Sequence, residues 1–221
     1  MTPFERLQSE TEQERNALMS IPFMIEGVSG RISLDEYLAF LTQAYHHVKH
    51  TVPLLMLCGA HIPAEKEWLR DAMAEYIEEE LGHQEWILND IAACGGDAEA
   101  VRHSRPGGAA DTLVAYAYYQ IQHVTPLGFL GMVQVLEGTS IRAATEAAKN
   151  IGKALTLGPE CFTYLSSHGS LDISHMDFFE GLINRLSEDE VDDVIHAAKV
   201  FYKLYGDVFR SLPLESIQEA A

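Results

Sequence analysis

The sequence predicts an all-α protein. Apolar residues recur at helical spacing nearly throughout, and no stretch sustains the alternation of a strand. Three segment starts carry helix-opening chemistry: Thr2-Pro3 with Glu5 in the first turn, Ser33 followed by Asp35 and Glu36, and Ser187 with Glu190 three residues on. Gly and Pro are sparse and scattered, with no linker, internal repeat or low-complexity segment. Six or seven helices around one core, in a single domain spanning residues 1–221, are therefore expected.

The elements follow in order. A first helix is expected from Pro3 to about Ser20, then a break at Gly27–Gly30. Ser33 caps a second helix running to about Gly59, bent near Pro53. A third runs from Pro63 through Trp68, Tyr76, His83 and Trp86 to Ala93, where Gly95-Gly96 stops it. His103–Gly108 reads as a loop. Asp111 begins a fourth helix, interrupted at Thr125-Pro126 and near Gly138, that continues to about Ile151. After a break at Gly152–Pro159 a fifth helix ends near Leu186, and the sixth runs from Ser187 to about Arg210.

A formal net charge of -18 argues against nucleic acid and anionic membranes as partners. The start, MTPFERLQSETEQER, has no basic n-region or apolar h-region, and the longest apolar run, Val52–Ala60, contains Pro53 and is too short to span a bilayer. Three scattered cysteines, Cys58, Cys94 and Cys161, make neither a disulfide framework nor a Cys-rich zinc site. A cytoplasmic protein is expected.

The most informative stretch is YLSSHGSLDISHMDFFE, Tyr164–Glu180. It places His168, Asp172 and His175 at i, i+4 and i+7, on one helical stripe among Leu165, Leu171, Phe178 and Phe179. Two imidazoles and a carboxylate aimed inward are costly unless satisfied, and a metal satisfies them. On a straight helix His168 and His175 lie about 10 Å apart along the axis, so the stretch implies two metals or a bend near Gly169.

Other helices supply further donors. EEELGHQEW contains a Glu-x-x-His pair, Glu80 and His83, whose spacing puts both on one face. Glu78 and Glu79 read as a solvated run. In GMVQVLEGTS, Glu137 is a lone acid in an apolar run, and buried acids are rare unless paired or ligating. Three carboxylates and three imidazoles without a thiolate favour iron or manganese over structural zinc. Met73, Phe129, Met132 and Phe179 are candidates to line a dry cavity beside them. Tyr164, one turn before His168, and Glu79, one turn before His83, are candidate partners for ligating histidines, with a surface role the default for both. Arg142 reads as an exposed ion-pairing residue, and His61, His103 and His196 read as surface residues.

Taken together, Glu80-Leu-Gly-His83, then Leu136-Glu137-Gly138, then His168, Asp172 and His175 resemble the heme-oxygenase-like diiron oxidases and oxygenases, over about Leu38 to Phe209. The resemblance implies a seven-helix fold shared with thiaminase II and the pyrroloquinoline quinone synthase C protein. It also implies two ferrous ions, O2 as co-substrate, a small organic substrate (a fatty acid, amino acid or pathway intermediate) and a homodimer. All six ligand positions of the family pattern are filled. In such proteins the fifth helix is often loose without metal, which Gly169 permits.

Two relatives with this fold offer alternatives. A thiaminase-like hydrolase places a nucleophilic Cys where this chain has Leu136-Glu137-Gly138, and no cysteine lies nearby in sequence. Heme oxygenase uses an early His as axial ligand, and His46, His47 and His50 in QAYHHVKH match that motif only loosely. A cofactor-free enzyme of the thiaminase or quinone-synthase type, and a non-catalytic interaction protein, remain the rival readings. The last requires that Glu80, Glu137 and Asp172 do not converge.

Overall fold

The structure, a computed structural model, describes residues 1–215, apart from the side chains of residues 168–174. These residues form twelve α-helices with no strand among them. The expected long helices are present but cut into more segments than six or seven, and each cut has a local cause.

The first helix is two, α1 (Pro3–Glu10) and α2 (Glu12–Met19). Thr11 between them, at φ -106° and ψ 7°, turns its hydroxyl onto the Leu7 carbonyl at 2.7 Å. A short α3 (Pro22–Val28) starts on Pro22 where only a break was expected. The capping boxes form as read: Thr2 with Glu5, Ser33 with Glu36, and Ser187 with Glu190. The second expected helix divides at Lys49-His50 into α4 (Leu34–Val48) and α5 (Thr51–His61), so Pro53 sits harmlessly in the first turn of a new helix instead of bending an old one. The third divides at Leu81-Gly82 into α6 (Glu67–Glu80) and α7 (His83–Ala93). A brief α8 (Ala98–His103) precedes α9 (Gly108–Tyr119), which unwinds into a π-helical turn, Gln120–Val124, before Pro126. No interruption occurs near Gly138: α10 runs unbroken from Gly128 to Leu155. Helices α11 (Thr163–Ile183) and α12 (Glu188–Arg210) complete the chain.

Helix α10 is the centre of the packing and lies against α11, α12 and α3. On α12 the buried side chains Val191, Val194, Ile195, Ala198, Phe201, Tyr202 and Tyr205 recur at three- and four-residue steps, so one stripe meets the core. Each large side chain among them contributes about 1.5–3 kcal/mol by leaving water. The contact with α10 is closest at Gly131. A Cβ built there would lie 2.6 Å from the backbone nitrogen of Ala198 and 3.0 Å from the Val194 carbonyl oxygen.

The start of α11 is fixed by a residue on another helix. Asp90 of α7, fully buried, accepts the backbone N–H groups of Thr163 at 3.0 Å and Tyr164 at 2.9 Å, and also the Thr163 hydroxyl. It satisfies donors that a helix N-terminus otherwise leaves orphaned. Asp90→Asn keeps the shape but gives up acceptors, and a loss of about 2 kcal/mol in thermal unfolding is expected. Burial holds the Asp90 carboxyl above its ordinary value of 3.8, against the opposing pull of the Thr163 and Tyr164 donors. The folded state therefore binds this proton more tightly than the unfolded chain. The resulting stability is full below 3.8 and is lost as pH rises through the folded value. Unfolding followed across acid pH should show that downward slope in the native chain and not in Asp90→Asn.

Candidate metal centre

Glu80 is the last residue of α6 and His83 the first of α7. Between them Gly82 adopts φ +91°, a left-handed conformation that glycine reaches without steric cost. The pair is therefore not carried on one regular helix, as its spacing suggests. The tight turn itself sets His83 Nδ1 2.9 Å from Glu80 Oε2. Trp86, one turn into α7, stacks on the His83 ring with centroids 4.0 Å apart. Both Glu80 and His83 are buried.

Glu137 lies about a third of the way along α10 and His175 lies on α11. One donor atom from each of Glu80, Glu137 and His175 falls within 4.8 Å of the others. Four helix ends and faces thus converge: α6, α7, α10 and α11. His83 touches Glu80 but is not one of the three. The side chains of His168 and Asp172, seven and three residues before His175, lie outside the described residues.

His175 is held on both sides. Its Nε2 is 2.9 Å from Glu79 Oε2 and its Nδ1 is 3.7 Å from Glu137 Oε1. An ionised carboxylate only accepts, so in the neutral ring Nε2 carries the proton toward Glu79 and Nδ1 directs its lone pair toward Glu137. Tyr76 packs edge-on against the same ring, with centroids 5.9 Å apart. Glu79 is thus a partner of His175 across the helix interface, not of His83 or the solvent alone. Metal-ligating histidines are oriented by such carboxylates. Glu79→Gln is expected to weaken ferrous-ion binding by roughly 10–100-fold without unfolding the chain, as measured by anaerobic titration beside circular dichroism.

Two carboxylates beside one imidazole, inside a helical core, suit a cation. The charge is costly to bury, and the described wall around Glu80 and Glu137 contains no Lys or Arg to offset it. Oxygen and imidazole donors fit iron, and the residues present fit the group.

A cavity of about 140 Å³ opens from Glu80 and Glu137. Phe129 and Met132 line it, as expected from sequence, while Met73 and Phe179 are packed in the core away from it. Tyr164 also lines it and is buried, not a surface residue. Arg142 is exposed, as are His61, His103 and His196. None of the three cysteines is on the described wall; all are buried and free. The sequence offers Glu79 as a partner of His83, one turn away, and the structure gives it to His175 instead. Asp90 was missed, although a signal was there. Asp90 carried the one that marked Glu137, a single acid among Ile87, Leu88 and Ile91.

Fold and cluster together define an all-helical protein with a carboxylate–histidine centre between its helices. The chain belongs to a family described as iron-containing redox enzymes, whose sequence profile matches residues 38–206. Its fold is that of the heme oxygenase-like proteins. A domain of unknown function with a heme oxygenase-like fold from Shewanella denitrificans superposes with a TM-score of 0.83 at 23% identity, covering 94% of this chain and 90% of that one. A TenA homologue from Pseudomonas syringae gives 0.79 at 12%, covering 93% and 90%. Heme oxygenase from Leptospira interrogans gives 0.77 at 15%, covering 96% and 100%. These likenesses establish the fold. No curated protein sequence matches the chain. Among the described residues no helix is long and apolar enough to cross a membrane.

Proposed function

We propose that the protein is a non-heme diiron oxidase or oxygenase that uses O2 to oxidise a small organic molecule. The observation that carries this reading is the convergence of Glu80, Glu137 and His175 in a chain of the iron-containing redox family. Glu80 and His83 would hold one ferrous ion, His168, Asp172 and His175 mainly the second, with Glu137 between them. Bound there, the ions would supply the electrons and Lewis acidity for O2 reduction.

The protein's own residues set the conditions. Glu79 fixes the His175 ring so that Nδ1 points at the centre. Trp86 holds the His83 ring by stacking. The apolar wall formed by Phe129, Met132, Val133 and Leu136 excludes water from the oxidising centre, limiting side reactions. The substrate would enter the adjoining cavity, and a homodimer without nucleic-acid or membrane partners is the expected assembly.

Two other chemistries fit less well. A thiaminase-like hydrolase needs a nucleophile on this wall, and burial raises the Cys58 thiol to about 12, away from the thiolate form. A heme would take an axial histidine, whereas the donors that converge here, Glu80, Glu137 and His175, are the carboxylate and imidazole set that suits non-heme ions. Anaerobic Fe(II) titration followed by O2 exposure tests the proposal. Two irons per chain and rapid O2 consumption with oxidation of the ferrous centre are expected. Failure to bind iron overturns it.

A further inference from the structure

The surface of the chain is unevenly charged. It carries 15 basic and 33 acidic side chains, yet no Asp, Glu, Lys or Arg occurs between Lys49 and Glu65, or between Asp111 and Glu137. The fold brings these two stretches side by side. The first holds α5; the second holds most of α9, the π-helical turn and the start of α10. His50, which opens α5, sets its Nδ1 3.2 Å from the Tyr118 hydroxyl, with the two rings edge to face. About two turns on, Cys58 Sγ lies 3.4 Å from the Pro126 carbonyl oxygen. Helix α5 therefore runs alongside residues 118–126 for most of its length.

The inner side of α5 is packed through Leu54, Leu55 and Cys58. Pro53, Met56 and Ala60, at three- and four-residue steps on the opposite side, are exposed. The outer face of a surface helix is ordinarily polar or charged; this one presents apolar side chains. The strip beside it exposes Tyr119, Gln122 and Val124. Met56, Tyr119 and Val124 are each more than half exposed. The strip turns through the π winding, closed by the Thr125 N–H on the Gln120 carbonyl at 2.9 Å, and such turns are rare and concentrate at functional sites. Single exposed apolar residues are ordinary. An uncharged face built from two adjoining segments, on a chain this acidic, marks a contact surface.

The charge of the remaining surface says what can cover it. At a net charge of -18 the chain repels nucleic acid and anionic bilayers. A basic protein would be drawn instead to acid-rich surface such as the outer side of α6, with Asp71, Glu75 and Glu78. Two copies of the chain can meet without opposing like charges only where neither carries any. A two-fold axis through an uncharged face sets that face against itself.

We infer that α5 and the π turn form a self-complementary interface at which two copies of the chain join, with Met56, Tyr119 and Val124 supplying its apolar centre. The inference rests on the expected homodimer, to which it gives an interface, and it needs no iron.

The test is sedimentation equilibrium of the full-length chain. The native chain should be a dimer that tightens with ionic strength. Shortening the Debye length from about 30 Å at 0.01 M to about 8 Å at 0.15 M screens the repulsion between two acidic copies, whereas a contact made by opposite charges would loosen. Met56→Glu and Val124→Glu each bring like charges into the interface from both copies, and each should weaken the dimer by about 100-fold or more. Met56→Leu should keep it. Ile25→Glu, at an exposed apolar position on α3, should keep it as well. Circular dichroism checks that every variant folds. A dimer unmoved by both glutamates, one lost equally in Ile25→Glu, or one that loosens with salt overturns this inference alone. A native monomer overturns it together with the expected homodimer, and binding of that monomer to phosphatidylcholine vesicles would assign the face to lipid. Iron titration of the same samples keeps the redox reading separate: a dimer with this interface that takes no iron overturns that reading alone.

Discussion

Glu137→Leu is expected to remove iron binding while making the metal-free protein more stable. Glu137 faces both Glu80 and His175, and one of its oxygens lies 3.7 Å from His175 Nδ1. Losing this donor should cost iron affinity at least about 100-fold, more than the loss of a partner that only orients a ligand. O2 consumption should fall to background with it. Without metal, the same carboxylate is a second negative charge kept near Glu80 in an apolar wall. Replacing buried charge by a similar apolar volume is often stabilising by about 1–4 kcal/mol. Thermal unfolding of the metal-free variant should therefore shift upward as iron binding disappears. A variant that is destabilised and still takes two irons would show that Glu137 is a packing residue and not a ligand.

The second large effect is on stability. Gly131→Val should destabilise by about 3 kcal/mol or more, a fall of roughly 10 °C in Tm for a chain of this size. The new Cβ would meet backbone, the nitrogen of Ala198 at 2.6 Å, which cannot swing aside as a side-chain tip can. The α10–α12 contact would have to open, and α10 carries Glu137 and one wall of the cavity. Gly181→Ala on α11 is the matched control. No atom lies within 4 Å of its added Cβ, and alanine favours the helix, so a gain of about 0.5–1 kcal/mol is expected. Equal and small effects at both positions would mean that the close approach at Gly131 is not what sets the helix spacing.

The two kinds of residue were not equally legible. Glu137 could be singled out because a single acid in an apolar run has no cheap place to go. Asp90 stood in the same kind of run and serves a different purpose, closing the start of α11. The pattern reports burial of a charge, not whether a metal or a row of N–H groups satisfies it. The true partner of Glu79 was illegible for the opposite reason. Glu79 is half-exposed within a charge run, and only the approach of α11 gives it His175.

Local chemistry written in the sequence determined the all-helical class, the three capping boxes and the helix that bears His168, Asp172 and His175, because each depends on residues a turn apart. Tertiary structure decided what depends on contacts between distant segments. The break at Gly82 places Glu80 against His83 through a turn, the unbroken path of α10 past Gly138 makes one wall of the cavity, and the packing of α6, α10 and α11 gathers Glu80, Glu137 and His175. Helical periodicity fixes which face a side chain shares with its neighbours. It carries no information on which other helix comes to meet that face, and a metal centre built from several helices is made of those meetings.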